Sequence, residues 1–222
     1  MKSLAQCWLY GIVDLGYVAP NRIESVAEQM IEGGIDVLQL RAKGVPEPEV
    51  EKLGWRLAAV TGAAGVPFII NDYPQLVASV GAQGAHVGQD DFSIEDARWR
   101  AARSLSPHEL PPVIGQSTHS VAQALAAARA GADYIGFGPL FSTPTKPGRP
   151  AIGLDEIQEV HELVNIPIFC IGGIRRENLE EVIRAGARRV VVVSAILQAA
   201  EVVSCCREVK ETLARSAITS GG

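Results

Sequence analysis

Residues 168–174, Ile168-Phe169-Cys170-Ile171-Gly172-Gly173-Ile174, and residues 190–196, Val190-Val191-Val192-Val193-Ser194-Ala195-Ile196, decide the fold. Each is an apolar run of strand length that stops at a turn, Gly-Gly in the first and Ser-Ala in the second, before a helical pattern begins. Glycine lets backbone approach a ligand closely, and an N–H-rich turn that opens a helix attracts phosphate. In a parallel barrel, the loops after the seventh and eighth strands are where a phosphate commonly sits. The two stretches therefore suggest an architecture and a ligand class together.

Outward from these turns, short apolar runs alternate with amphipathic segments along the whole chain. The pattern predicts strands over 8–14, 36–41, 67–71, 85–88, 112–116, 133–138, 167–171 and 189–193. It predicts helices over 21–33, 47–64, 74–81, 93–104, 119–131, 154–164, 175–186 and 195–215. Strands alternating with helices imply a parallel sheet covered by helices. A weak repeat supports eight units. Gly34-Ile35-Asp36, Gly131-Ala132-Asp133 and Gly186-Ala187-Arg188 each end a helix just before a strand, and Gly81-Ala82 does something similar. Between them Val66-Pro67, Pro111-Pro112 and Ile166-Pro167 introduce the other strands. Glycine suits a helix C-terminal cap and proline a first strand residue. The alternation favours an α/β fold of the closed (β/α)8 TIM-barrel type over an open, flavodoxin-like sheet. The whole chain, 1–222, is expected to form one domain, with its core over about 8–215 and a loose tail after Ser216.

The 222 residues are 47% hydrophobic and 20% charged, ample for a buried core, and the net charge of −5 disfavours a general nucleic-acid partner. An anionic ligand must then be held by a local cluster of cations or by a metal. Cys7, Cys170, Cys205 and Cys206 lack zinc-site spacing and a dense disulfide pattern, which suggests reduced thiols and a cytoplasmic setting. No basic segment followed by a long apolar run marks the N-terminus, and no apolar stretch reaches the ~18 residues of a membrane span, so neither secretion nor a membrane partner is expected.

In a barrel the C-terminal ends of the strands converge on one site. Strand two ends in Gln39-Leu40-Arg41-Ala42-Lys43, strand three in Asn71-Asp72, and strand four in His86-Val87-Gly88-Gln89-Asp90-Asp91. Strand five ends in Ser117-Thr118-His119, and strand six in Gly136-Phe137-Gly138-Pro139 with Thr143-Pro144-Thr145-Lys146 beyond it. Alternation puts Gln39, Arg41 and Lys43 on one face and Leu40 on the other, a polar face suited to a polyanion. Asp72 and Asp91 suit Mg2+, which takes a few carboxylate oxygens and completes its octahedron with water or phosphate. Helix N-capping is the competing role for both acids, and Asp90 competes as the second ligand. His86 reads as structural, and His119 as a cap or a substrate-orienting group. No activated nucleophile stands out. Two anion sites result: a metal-assisted one on strands two to four and a phosphate site on strands seven and eight.

In combination, Gln39-Leu40-Arg41-x-Lys43, Asn71-Asp72, His86-Val87-Gly88-Gln89-x-Asp91, Gly136-x-Gly138-Pro139, Thr143-x-Thr145-Lys146, Gly172-Gly173-Ile174 and Val193-Ser194-Ala195-Ile196 resemble the thiamine phosphate synthase family over roughly residues 8–200. The resemblance implies a TIM barrel that condenses a hydroxymethylpyrimidine diphosphate with a thiazole phosphate, carboxylated or not, and releases diphosphate. By the same resemblance Arg41 and Lys43 hold the diphosphate, with Gln39 and Asn71 near the pyrimidine and the intervening Leu40 and Ala42 counted with that segment. Ser117 and Lys146 complete the diphosphate site, Asp72 and Asp91 bind Mg2+, and Thr143, Pro144, Thr145, Gly173, Val193 and Ser194 seat the thiazole phosphate. The implied chemistry is dissociative, which fits the lack of an obvious general base. Two features depart from the pattern. The loop Pro147-Gly148-Arg149-Pro150-Ala151-Ile152-Gly153 looks about one residue short, as in the related thiazole tautomerases, and Val13-Asp14 replaces the usual Thr-Asp end of strand one. A tautomerase or a non-catalytic phospholigand sensor on the same barrel are the alternatives; the retained Gln39, Gln89-x-Asp91 and Thr143-x-Thr145-Lys146 argue against the first, and the complete complement of metal ligands and cations against the second. The sequence leaves the oligomeric state open, although barrels of this kind often form homo-oligomers.

Overall fold

The structure, a computed structural model, describes residues 3–106, 110–143 and 150–219. Strands β1 (Leu9–Asp14), β2 (Val37–Arg41), β3 (Phe68–Asn71), β4 (Gly84–Val87), β5 (Val113–Thr118), β6 (Tyr134–Phe137), β7 (Ile168–Ile171) and β8 (Val190–Val192) pair in chain order, all parallel. β8 returns to β1 with Leu9 opposite Val190, which closes the barrel. Outside lie α1 (Ile23–Glu32), α2 (Glu47–Ala64), α3 (Val77–Val80), α4 (Ile94–Ala102), α5 (Val121–Arg129), α6 (Ile157–Leu163), α7 (Arg176–Arg184), α8 (Ser194–Leu197) and α9 (Val202–Thr219). This is the (β/α)8 architecture that the sequence predicts.

The repeat at the strand starts has a chemical meaning. Gly34, Gly131 and Gly186 adopt φ of 93°, 89° and 109°, turning each helix sharply into an even-numbered strand. Two residues further on, a side chain caps the start of the preceding odd strand. Asp36 Oδ2 accepts from the N–H groups of Trp8 and Leu9 at 2.8 and 3.0 Å, and Asp133 Oδ2 from that of Ile114 at 2.7 Å. Gln83 Oε1 does the same for Phe68 at 2.5 Å. Three of the four strand pairs are thus tied at the closed end of the barrel by one device; in the fourth Arg188 occupies the position and has no acceptor atom to offer.

Two expectations need correction. The single helix predicted over 195–215 is two, α8 and α9, because Gln198 ends α8 after one turn. Buried Ile196 and buried Val202 are six residues apart, a spacing that an unbroken 3.6-residue period turns about 120° out of line. The break restores phase, so Val202, Cys206, Val209 and Leu213 all face inward. The helix predicted over 74–81 begins as a 3-10 turn, Pro74–Leu76, and only then becomes α3.

Apolar side chains form two cores. The outer one, between strands and helices, takes Leu38, Leu40 and Ala42 from β2 and the residue after it. The inner one fills the barrel with Tyr10, Ile12, Val37, Ile69, Tyr134, Phe169 and Val191. The Tyr10 and Tyr134 rings meet Phe169 edge-on at 5.3 and 5.8 Å. Gly115 on β5 makes room for this cluster: a Cβ there would collide with the Tyr134 ring. The inner core thereby becomes the floor beneath the barrel mouth.

Candidate active site

At the mouth, β1 and β2 end in register, Asp14 opposite Arg41. Arg41 Nη1 donates to Asp14 Oδ2 at 2.7 Å, and Asp14 is only 2% exposed. The other carboxylate oxygen accepts from the Gly16 N–H at 2.9 Å, so the acid is held on both sides. Asp14 was not among the predicted site residues. Its signal was an acid ending the strand beside the arginine strand, which keeps the aspartate of the usual Thr-Asp end while Val13 replaces the threonine.

Lys43 is ion-paired with Asp72, whose carboxyl also contacts that of Asp91. Burial pushes the Asp72 pKa up, Lys43 pulls it back and the Asp91 charge pushes it up again, leaving it raised. Asp72 has φ of 65°, unusual for a residue with a side chain, and its N–H donates to the His86 carbonyl at 2.9 Å. Asp91 Oδ2 accepts from the Gly88 N–H at 2.8 Å. Helix capping, the competing role for Asp91, belongs to Ser93, whose Oγ accepts from the Asp96 N–H at the start of α4. Two braced carboxyls that repel each other beside a cation site are a donor set that fits a hard divalent cation. Among the described residues no third His, Cys, Asp or Glu joins them, so further coordination positions fall to water or to phosphate oxygens. Asp90 is exposed next to them.

The opposite side of the mouth is a cleft lined by Ser117, His119, Gly138, Thr143, Gly172, Gly173, Val193 and Ser194. Gly172 and Gly173 take φ of 102° and 65°. A Cβ on Gly172 would clash with Pro139, and one on Gly173 would lie 2.7 Å from Phe141 Cβ, so the turn is pressed against the loop after β6. Asn178 on α7 fixes it from below. Its Nδ2 donates to the Gly173 carbonyl at 3.0 Å and its Oδ1 accepts from the Arg175 N–H at 2.8 Å. Sequence reasoning missed Asn178; an asparagine five residues past the Gly-Gly turn was the available signal. His119 joins β5 to the β6 loop, its Nδ1 close to the Gly138 carbonyl and its N–H donating to Gln123 Oε1 at 2.8 Å. The capping of α5 is done by Ser120 instead.

Of the predicted residues, Gln39, Arg41, Lys43, Asn71, Asp72 and Asp91 gather on the β2–β4 side, and Ser117, Thr143, Gly173, Val193 and Ser194 on the cleft side. Leu40 and Ala42 do not join them through their side chains, which point into the outer core because strand alternation turns them away. Pro144, Thr145 and Lys146, with Pro147, Gly148 and Arg149 of the shortened loop, lie outside the described residues.

Beneath both halves runs a line of polar contacts. Gln39 Nε2 donates to Tyr10 Oη at 2.9 Å, and Tyr10 Oη meets Tyr134 Oη at 3.0 Å. Tyr134 Oη meets His86 Nδ1 at 3.1 Å, and His86 Nε2 meets Ser117 Oγ at 3.0 Å. Gln89 Nε2 donates to the Ser117 carbonyl at 2.7 Å. His86, expected to be purely structural, is in direct contact with a candidate site residue.

A family model described as thiamine monophosphate synthase matches residues 9–196. The thiamine-phosphate synthase of Thermus thermophilus is 44% identical over 187 residues, covering 84% of this chain and 86% of that one. That of Chloroflexus aurantiacus is 39% identical over 203 residues, with 91% and 90% covered. A solved thiamine phosphate pyrophosphorylase from Pyrococcus furiosus superposes with a TM-score of 0.85 at 29% identity, over 97% of this chain and 99% of that one.

Proposed function

The chain belongs to the thiamine monophosphate synthase family, and on that footing we propose that its barrel mouth joins hydroxymethylpyrimidine diphosphate to thiazole phosphate, giving thiamine phosphate and diphosphate. The observation that carries this reading is the pairing of an acid–cation cluster, Asp14, Arg41, Lys43, Asp72 and Asp91, with a glycine-built cleft across one mouth.

The bond between the pyrimidine methylene carbon and oxygen breaks, and diphosphate leaves with the electron pair. The thiazole nitrogen then uses its lone pair to form the new carbon–nitrogen bond. No proton changes hands, so the reaction asks for no general base on either reacting atom. The chemistry is therefore one of stabilising a leaving anion and positioning an acceptor. Arg41, oriented by buried Asp14, keeps the rest of its planar guanidinium for phosphate oxygens. Lys43 adds a second charge, and Lys146 is assigned the same task by resemblance. Asp72 and Asp91 would hold Mg2+, which neutralises diphosphate charge when bound. Lys43, paired with Asp72 here, would be available to the leaving group if that carboxylate held the cation. Gln39 and Asn71 sit where they can orient the pyrimidine, while Thr143, Gly173, Val193 and Ser194 frame the thiazole phosphate. Ser117 stands between the two.

Among the described residues no helix is long and apolar enough to cross a membrane. Incubating the protein with both phosphorylated substrates and Mg2+ should give thiamine phosphate and diphosphate in equal amounts, and a chelator should stop the reaction. Binding of both without turnover would support a sensor, and isomerisation of a thiazole phosphate without the pyrimidine would support a tautomerase; either result contradicts the proposal.

A further inference from the structure

The polar line under the mouth joins Gln39 on β2 to Ser117 on β5 by way of β1, β6 and β4, and the placement of the Gln39 amide gives it a direction. Tyr10 Oη accepts from Gln39 Nε2, so its own proton goes to its other partner, Tyr134 Oη. Tyr134, accepting there, donates its proton to His86 Nδ1. A neutral imidazole that accepts at Nδ1 carries its proton on Nε2, and this N–H donates to Ser117 Oγ. Ser117, supplied with a donor from below, keeps its own O–H for the cleft that it lines. Burial raises the pKa of both phenols, so each stays protonated and able to donate at neutral pH.

We propose that Gln39, Tyr10, Tyr134 and His86 form a polarised hydrogen-bond relay that holds Ser117 as a donor toward the leaving diphosphate at the edge of the cleft, Tyr10, Tyr134 and His86 being positioning residues that act through it. This rests on the synthase reading above. The reverse orientation shows what the relay controls. Were the Gln39 carboxamide turned over, Oε1 would accept from Tyr10 and every step would reverse. Ser117 would then donate down to His86 and offer only lone pairs to the cleft. Phosphate oxygens accept and do not donate, so only the first direction stabilises a leaving diphosphate. The orientation of one amide in the pyrimidine half thereby sets the hydrogen-bonding character of a hydroxyl across the mouth. The seat of the relay is built for the purpose of close packing: Gly115 leaves the Tyr134 ring the space it needs against β5.

The test uses the full chain labelled with 15N-histidine, with the His86 signals assigned by their loss in His86→Gln. The relay requires that, in the free wild-type protein, His86 is protonated on Nε2 and not on Nδ1. Tyr134→Phe removes the donor to Nδ1, so the tautomers should mix and kcat should fall roughly tenfold, the worth of one or two hydrogen bonds. KM for thiazole phosphate should stay within about twofold. Ser117→Ala removes the outlet, so adding Tyr134→Phe to it should cost nothing further. If Tyr134→Phe proves unfolded by circular dichroism, Tyr10→Phe carries the same expectations. An Nδ1–H tautomer in the wild type, or losses that multiply in the double variant, would overturn the relay. Absence of thiamine phosphate formation by the wild type would instead overturn the synthase reading, and the tautomer measurement would still stand.

Discussion

From β1 to β4 the mouth is furnished with charged side chains, Asp14, Arg41, Lys43, Asp72 and Asp91, whereas from β6 to β8 it is furnished with backbone bent by Gly138, Gly172 and Gly173. The first region is held by electrostatics: each cation faces a carboxylate, and one carboxyl is raised in pKa by burial and a like-charged neighbour. The second is held by shape, because no side chain fits where the Gly172-Gly173 turn touches the β6 loop, and Asn178 pins it from behind. A site built of charge should answer to charge-removing substitutions and to metal, while a site built of backbone should answer to added volume and be indifferent to metal.

The largest effect is expected from the acids. Asp72→Ala and Asp91→Ala should each lower turnover by on the order of 10²-fold or more, with the fold retained, because leaving-group stabilisation is lost. Asp72→Ala also removes a half-buried, repelled carboxyl, so its metal-free melting temperature should not fall. Near-normal, Mg2+-dependent rates in both variants would break the assignment, and damage from Asp90→Ala alone would move it to the neighbouring acid.

Next comes Arg41, where catalysis and stability are entangled. Arg41→Ala leaves Asp14 buried without its guanidinium, which should cost about 3 kcal/mol in denaturant unfolding. Adding Asp14→Asn should restore most of the stability but not the turnover. If the double variant is no more stable than the single one, the pair is not the buried ion pair described.

The smallest effect on the mouth should come from the closed end. Burial, with Arg188 and Arg189 adding to it, pulls the His161 pKa down from 6.5 to about 4, so the folded protein keeps this histidine neutral where the unfolded chain protonates it. Between pH 6.5 and about 4 the unfolded state binds more protons, and stability therefore drops as pH falls through that window. His161→Gln should flatten this dependence, read from melting temperatures, and leave kcat unchanged. A changed kcat would mean that the two ends of the barrel are coupled.

Much of this was legible in the sequence, and the boundary has physical causes. Strand ends announced themselves because an apolar run of fixed length stops at Gly-Gly, Asn-Asp or Arg-x-Lys. The Gly34, Gly131 and Gly186 repeat marked the strand starts, although it did not show that Asp36, Gln83 and Asp133 cap the neighbouring strand. The Asp14–Arg41 pair and the relay were not visible. Alternation says which residues face inward, but which inward residues meet depends on barrel stagger, and Tyr10 and Tyr134 are 124 positions apart. The split between α8 and α9 was hidden for the opposite reason: Ala199 and Ala200 satisfy a helical pattern locally, and only packing breaks it.

The two-region account is tested most directly by calorimetry of each substrate alone against three proteins: wild type, Arg41→Ala/Asp14→Asn and Gly173→Ala, with circular dichroism to establish folding. A Cβ at Gly173 meets Phe141 and the Ser142 carbonyl, so alanine is enough to disturb the turn. The account predicts that the Arg41 variant loses affinity for hydroxymethylpyrimidine diphosphate while thiazole phosphate binding is kept, and that Gly173→Ala does the reverse. Loss of thiazole phosphate binding alone in the first variant, or of diphosphate binding alone in the second, would contradict it.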